Sequence, residues 1–432
     1  MSEVVGTVQG HRDGHGFVIR DDRQPEPGAR SFANEFVADA DERQEDPRPI
    51  GGGDSRAAVR DAEARAAVLE AVGESRALRA EFEKMGESGY RADQIMLWIY
   101  RRGVVDFAAM SNVGKALRAR LEAHFVIRPP ELVVEQVSVD GTRKWVLKLE
   151  QAEGKPVTMI ETVYIPEANR GTLCISSQAG CAMDCSFCST AQGGFSRNMS
   201  TAEIVAQVWF AGKTLGGDFQ NERVISNVVF MGMGEPLANY NNVLPAIRIL
   251  LDDFGFGLSK RRVTVSTSGL VPFIDRLAGD VDTALAISLH AANDKLRDQL
   301  VPINKKYPIA ELMDACKRYL AGKDRKAHII YEYVMLEGVN DQPEHARELA
   351  KLLSGQSAKV NLIPFNPFPN ARYKRSKPEA ISRFSEILRA KGLLTMTRRT
   401  RGDDIDAACG QLVGKVQSKQ KKRLGDIPVR VQ

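Results

Sequence analysis

Cys181, Cys185 and Cys188 stand in the run GCAMDCSFCST with the spacing C-x3-C-x2-C. Three thiolates on one short loop leave a metal centre one protein ligand short. A structural zinc site is closed by four nitrogen or sulfur ligands, whereas an iron–sulfur cubane on three thiolates keeps one iron open to a substrate. No second C-x-x-C pair occurs in the chain, and His290 is the only later histidine in an obvious functional setting. The neighbours Gly180, Asp184, Ser186 and Ser189 are small or polar, unlike those of a buried structural thiol. The spacing therefore points to a [4Fe–4S] cluster with an open iron rather than to zinc. Of the other cysteines, Cys174 lies seven residues ahead of the loop and Cys409 sits in the run AACG, while Cys316 in MDAC reads as helical core.

A chain of 432 residues, 43% hydrophobic, has room for two or three domains and a sizeable α/β core. No apolar run reaches the roughly 18 residues of a membrane span, and MSEVVGTVQGHRDGHG lacks the apolar centre of a signal peptide. The expectation is a cytoplasmic protein with no membrane partner, in which six cysteines serve as ligands or redox groups rather than as a disulfide scaffold. The net charge is only +5, but positive charge crowds at 260–262, 305–306, 372–377, 398–401 and 419–423. Each stretch alone is an ordinary solvated face; together they favour a polyanionic partner.

Residues 4–20 alternate like a β-hairpin around GHRDG and look like the start of an OB strand pair; 21–55, rich in Asp, Arg, Pro and Gly, read as a linker. A helical module follows, with Ile95, Leu97, Trp98 and Ile99 as its apolar positions, suited to packing on the core or to touching nucleic acid. Strands are expected over 132–167, where Trp145-Val146-Leu147 alternates against lysine. Beyond Gly171 strand, loop and helix repeat, with strands at 173–176, 227–231, 262–266, 284–289, 329–335 and 359–364. Such alternation implies a parallel sheet, and six units suit a partial barrel better than a closed eightfold one. The cysteine loop, GMGEP, STSG, SLH and Asn366 all fall just after strands, where barrel sites lie; Ser200-Thr201-Ala202-Glu203 reads as a capping box.

The runs GTLCISSQAGCAMDCSFCSTAQGGFSRN, GMGEPLANYNNV, VTVSTSG, AISLHA, VNLIPFNPFPNARY and RGDDIDAACGQL make the chain resemble the RlmN/Cfr family of RNA adenine methyltransferases in the radical S-adenosyl-L-methionine (SAM) superfamily. The resemblance spans roughly residues 83–413 and does not reach residues 1–60. It implies an α/β partial (β/α)6 radical SAM barrel with a small N-terminal helical accessory domain. The domains would be an OB-like fragment and linker (1–60), an RNA-binding helical module (61–130), a strand extension (131–168), the barrel (169–400) and a C-terminal segment with a basic tail (401–432).

The family also implies roles. Cys181, Cys185 and Cys188 would hold the [4Fe–4S] cluster, whose open iron would chelate SAM for cleavage to a 5′-deoxyadenosyl radical. Adenine C2 or C8 is not nucleophilic enough to attack a sulfonium methyl directly, so a radical route makes chemical sense. Cys409 would carry the methyl as S-methylcysteine, and Cys174 would release the product by forming a disulfide with Cys409. Glu161, in the apolar run MIETV, would be the base, its burial making it more basic. Gly234 and Glu235 would meet the SAM amino group, and Ser266, Ser288, Leu289, His290 and Asn366 would line its ribose, carboxylate and adenine. The implied partners are 23S rRNA and tRNA and a flavodoxin-type electron donor, with two SAM used per turnover by a monomer. A Cfr-like C8 methyltransferase, or an RNA-binding protein with a structural or redox-sensing cluster, are the competing readings.

Overall fold

The computed structural model describes residues 75–149, 157–216, 224–324, 326–369 and 371–412. The hairpin and linker expected before residue 60 and the basic stretch at 419–423 lie outside the described residues.

Among the described residues the N-terminal module has three α-helices, α1 Ser75–Lys84, α2 Tyr90–Met96 and α3 Lys115–His124, with α2 running into a π-helical turn at Leu97–Arg101. Ile95 and Ile99 are buried as the spacing predicts, but the π turn leaves Leu97 and Trp98 only half-buried. The module is pinned to the body by Trp209, whose indole N–H donates to the Ile99 carbonyl at 3.0 Å.

Three antiparallel strands, β1 Glu131–Val137, β2 Arg143–Lys148 and β3 Met159–Glu167, lead into β4 Arg170–Cys174, which is antiparallel to β3 and begins a parallel sheet. That sheet continues through β7 Asn227–Phe230, β8 Val263–Thr267, β9 Ala284–Ser288, β10 Ile329–Met335, β11 Ala358–Pro364 and β12 Leu394–Thr397, giving one ten-stranded sheet in the order β1-β2-β3-β4-β7-β8-β9-β10-β11-β12. A separate pair, β5 Gln178–Gly180 and β6 Phe195–Asn198, frames the cysteine loop.

The helices between the strands are α4 Ser189–Gln192, α5 Thr201–Thr214, α6 Tyr240–Leu251, α7 Val271–Asp280, α8 Asp294–Leu300, α9 Ile309–Ala321, α10 Pro343–Leu352 and α11 Pro378–Ala390. Helix α5 starts with the capping box: Ser200 accepts from the Glu203 N–H and the Glu203 carboxylate accepts from the Ser200 N–H. Apolar stripes such as Leu312, Ala315, Cys316 and Tyr319 on α9 bury the helices against the strands, and Cys316 is core as expected.

Among the described residues the parallel sheet has seven strands where six were read. Strand β12 is short and sits at the sheet edge, with Leu394 and Met396 largely exposed, so its sequence lacks the apolar run of an inner strand. Arg262 belongs to a 3-10 turn, Lys260–Arg262, ahead of β8 rather than to the strand itself.

Candidate active site

Strand β4 ends at Cys174, paired with Val163 on β3 and Val229 on β7. The chain then turns through β5 into the cysteine loop. Gly180 has φ +78°, and a Cβ there would lie 2.0 Å from the Gly194 carbonyl oxygen, so only glycine lets β5 and β6 close on each other. The Cys181 N–H donates to that same carbonyl at 2.9 Å. Further on, the Ser186 N–H donates to the Leu300 carbonyl at 3.1 Å and the Ser186 hydroxyl pairs with Tyr373 at 2.8 Å. The loop is thus held from α8 and from the segment after β11.

Burial pushes all three loop thiols upward; Cys188 raises Cys181 further, and Cys181 and Cys188 both raise Cys185. Buried thiols that press on one another in this way suit a cationic centre that would stabilise their thiolates. Among the described residues no three His, Cys, Asp or Glu side chains converge on a single metal ion. Three mutually close thiols on one short loop are a donor set that suits a cluster, in which each iron takes its own thiolate.

The second group of side chains surrounds the ends of β7 to β10. Gly234 has φ +95°, and a Cβ there would strike the Gln178 side chain at 2.5 Å. Glu235 is buried; one carboxylate oxygen accepts from the Ser268 N–H and hydroxyl at 2.7 and 2.8 Å, the other from the Leu237 N–H at 3.0 Å. Burial raises its pKa, against the pull of the Ser268 and Leu237 donors. His290 sits at φ +60° with Nδ1 accepting from the Val334 N–H at 3.0 Å, and burial beside Arg297 lowers it to about 3. The imidazole is therefore neutral, with its proton on Nε2, and it packs edge-on to Phe187 of the cysteine loop at 4.5 Å.

Alternation places Ser266 on the face of β8 shared by Thr264, and Ser288 on the face of β9 shared by Ala284; Thr264 and Ala284 line the barrel cavity. Leu289 is fully buried and its backbone is engaged, its N–H donating to the Glu332 carbonyl at 3.1 Å and its carbonyl accepting from Arg297 and the Ala291 N–H, so it shapes the strand end from beneath.

That cavity, of about 590 Å³, runs through the open barrel; Cys174, Asn366 and Cys409 line one end, Lys260 and Lys326 the other. The structure thus brings Cys174 and Cys409 to one space. Cys174 is buried and its thiol is pushed up to about 12, first by burial and then by Cys409, with Arg398 pulling it down. Cys409 is exposed. Its loop is tied down on three sides: the Gly410 carbonyl accepts from the Ser189 N–H at 2.8 Å, the Gln411 amide donates to the Pro367 carbonyl at 2.9 Å, and Asn366 donates to the Cys409 carbonyl at 3.1 Å. The Asn366 oxygen accepts from Arg375 and Thr400 at 3.0 and 3.2 Å. Asn366 therefore supports the Cys409 loop, a duty its motif did not suggest.

Glu161 shares the inner face of β3 with Val163, the partner of Cys174. It is buried, with its carboxylate 4.0 Å from the Lys144 ammonium. Lys144 is buried too, and donates to the Asp406 carbonyl at 3.2 Å, three residues before Cys409. The RGDDID run is an anchor: Asp404 accepts from the Ser138 hydroxyl and the Val139 N–H, and Arg401 lies 3.6 Å from Asp140.

Sequence reasoning missed three buried or half-buried cations. Lys144 looked like a solvent-facing strand position, and Arg398 merged into a basic stretch. Arg297 is fully buried, donating to the carbonyls of Ser268 (2.6 Å), Leu289 (3.1 Å) and Ser288 (3.2 Å) and to Asn304. It binds the ends of β8 and β9 together from α8; its helical sequence, DKLRDQL, carries no sign of this.

The residues match a family model of the radical SAM superfamily over 175–350 and one for the ribosomal RNA large subunit methyltransferase N-terminal domain over 74–127. Barrel, loop and match together define a radical SAM enzyme. The chain is 55% identical over 350 residues to the dual-specificity RNA methyltransferase RlmN of Pseudomonas putida (strain W619), covering 81% of this chain and 91% of that one. RlmN of Xanthomonas axonopodis pv. citri (strain 306) is 54% identical over 349 residues, 79% of this chain and 86% of its own. Among solved structures, a radical SAM methyltransferase from Sphaerobacter thermophilus aligns with a TM-score of 0.72 at 43% identity, over 81% of this chain and 99% of that one. The chain belongs to the RlmN family of radical SAM RNA methyltransferases, which use a [4Fe–4S] cluster and SAM. Among the described residues no helix is long and apolar enough to cross a membrane.

Proposed function

We propose that this enzyme methylates C2 of an adenosine in 23S rRNA at the peptidyl transferase centre, and of the adenosine 3′ to the anticodon in some tRNAs. The observation that carries this reading is the meeting of Cys174 and Cys409 at one cavity, on a loop hydrogen-bonded to the cluster loop. When bound to Cys181, Cys185 and Cys188, the cluster supplies the electron that cleaves SAM and yields a 5′-deoxyadenosyl radical. Every other task falls to the chain.

Cys409, exposed at the cavity, takes a methyl group from one SAM and holds it as S-methylcysteine. After a hydrogen atom is lost to the adenosyl radical from a second SAM, the Cys409 methylene adds to the adenine. Glu161, buried on the inner face of β3 and facing Lys144, removes the proton from the substituted carbon, while the adduct's unpaired electron would return to the oxidised iron–sulfur centre that Cys181, Cys185 and Cys188 would hold. Cys174 then attacks the Cys409 sulfur, a disulfide forms and the methylated base leaves; reduction of that disulfide resets the pair. Gly234, Glu235, Ser266, Ser288 and the neutral His290 hold SAM above the strand ends, with Leu289 packed beneath them, and Asn366 acts by steadying Cys409.

The module at 61–130 docks RNA in this reading. Its surface carries cation–aromatic pairs, Arg102 over Trp98 at 4.1 Å and Arg91 over the exposed Tyr90 at 4.7 Å, which offer stacking faces and positive charge together. The enzyme works as a cytoplasmic monomer with a flavodoxin-type reductant.

The test is Cys174→Ala. The variant should accumulate a covalent RNA adduct through Cys409, and mass-spectrometric mapping of RNA from a knockout carrying the native gene should give 2-methyladenosine. Recovery of 8-methyladenosine alone would sink the C2 reading. Absence of both the adduct and 5′-deoxyadenosine would leave a cluster protein that only binds RNA.

A further inference from the structure

Strand β12 ends at Thr397, so the next side chain, Arg398, falls at the C-terminal end of the barrel beside the two cysteines. Its N–H donates to the Leu362 carbonyl at 2.8 Å, which carries the sheet register one residue past the strand and fixes the direction of the side chain. The guanidinium Nη1 lies 3.9 Å from the Met231 sulfur and 3.9 Å from the Glu332 carboxylate. Met231 in turn lies beside Cys174, since both line the cavity and Val229, two residues earlier, is the strand partner of Cys174. Cys174, Glu332, Arg398 and Cys409 all line the same cavity.

Glu332 is the unusual member of this set. It is buried on β10, one oxygen accepts from the Asn361 amide at 2.9 Å, and the other accepts no hydrogen bond among the described residues. Burying a carboxylate is expensive unless a cation compensates it. The cation within reach is Arg398, and the steps described above use neither residue.

We propose that Arg398 is a positioning residue for product release, its guanidinium held by Glu332 so that it favours the thiolate of Cys174 over the thiol. The inference rests on the two-cysteine reading of the function. In the step it serves, Cys174 gives its proton to solvent and its freed electron pair forms the bond to the Cys409 sulfur. The Cys409 S–C bond breaks with its pair going to the methylene carbon, which takes a proton and becomes the methyl group. The need is plain from the setting: burial opposes ionisation of Cys174, Cys409 being an uncharged thioether at that step, and among the described residues Arg398 is the charged side chain that favours it. The titratable and charged groups facing Arg398 are Cys409, Glu332, Cys174 and Glu167.

The test uses cluster-loaded enzyme without RNA, alkylated with iodoacetamide over a range of pH and scored at the Cys174 peptide by mass spectrometry. Arg398→Met should slow labelling of Cys174 roughly tenfold at fixed pH, one unit in thiol pKa being tenfold in thiolate. Arg398→Lys should recover most of the rate. Glu332→Gln should act in the opposite direction, speeding labelling, because the guanidinium is then no longer shared with a carboxylate. With RNA and SAM, Arg398→Met should still release 5′-deoxyadenosine in a first turnover yet accumulate the Cys409–RNA adduct. An unchanged labelling profile, a shift of the same sign in Arg398→Met and Glu332→Gln, or a lysine variant that behaves like methionine would overturn the proposal. If Cys174→Ala forms no adduct, the two-cysteine reading fails instead, and the labelling profiles still report on the Arg398–Glu332 pair.

Discussion

Cys181, Cys185 and Cys188 lie within eight residues of one another, whereas Cys174 and Cys409 meet at one end of the barrel from distant parts of the sequence, one on a strand and the other on a loop. The first group depends on local geometry: a glycine that lets two short strands touch, and hydrogen bonds that hold the loop from α8. The second depends on long-range topology: the whole sheet must form before Asn366, Pro367 and Ser189 can hold the Cys409 loop. The proposed cluster loop is encoded locally, while the proposed methyl carrier is suspended from side chains that can be changed one at a time.

The widest separation of the two groups should come from Cys181→Ser. Iron content and 5′-deoxyadenosine formation should fall to background, while the protein keeps its folded circular dichroism. Retention of wild-type iron would show that the loop is not the metal centre and would end the distinction. Asn366→Ala should do the reverse. Iron binding stays near wild type, while hydrogen exchange over 403–411 rises about tenfold or more, since a lost buried amide partner costs about 1–3 kcal/mol locally. No change in exchange would mean that the loop is held by its other two ties.

The smallest effect concerns His290, which touches the cysteine loop through Phe187. The folded state keeps the imidazole neutral down to about 3, whereas an unfolded chain protonates it near its ordinary 6.5. Between those values the unfolded state binds more protons, so stability drops as pH falls through that window, by about 2 kcal/mol at pH 5. Asn is tolerated at positive φ and keeps an acceptor for Val334. His290→Asn should therefore flatten the acid side of the stability curve, read by denaturant unfolding at pH 7 and pH 5; an equal slope in both proteins would remove His290 from the account.

What was legible beforehand follows the same division. The C-x3-C-x2-C spacing, the strand-end glycines and the capping box are short-range signals, and apolar strands with helices between them are enough to read an α/β partial barrel. Strand β12 escaped because an exposed edge strand of four residues lacks the period of an inner one. Arg398 escaped with it, as one basic residue in a run of four residues, 398–401. Lys144 and Arg297 are buried by partners far away in sequence, Asp406 and the carbonyls of Ser268 and Ser288, and no local pattern announces such a partner. Asn366 stood in the right place, but only the folded chain reveals that it faces Cys409.

The bond from Ser189 to Gly410 has a consequence for biogenesis. Its neighbour, Thr190 with the Leu412 carbonyl, joins residues 222 apart in sequence. During synthesis the cysteine loop emerges long before the segment that closes over it, because a chain leaves the ribosome from its N-terminus. The hydrogen bonds that residues 410 and 412 make to the loop therefore form only after the rest of the barrel has been synthesised. The segment proposed to carry the methyl group is thus a late arrival at the loop it closes on.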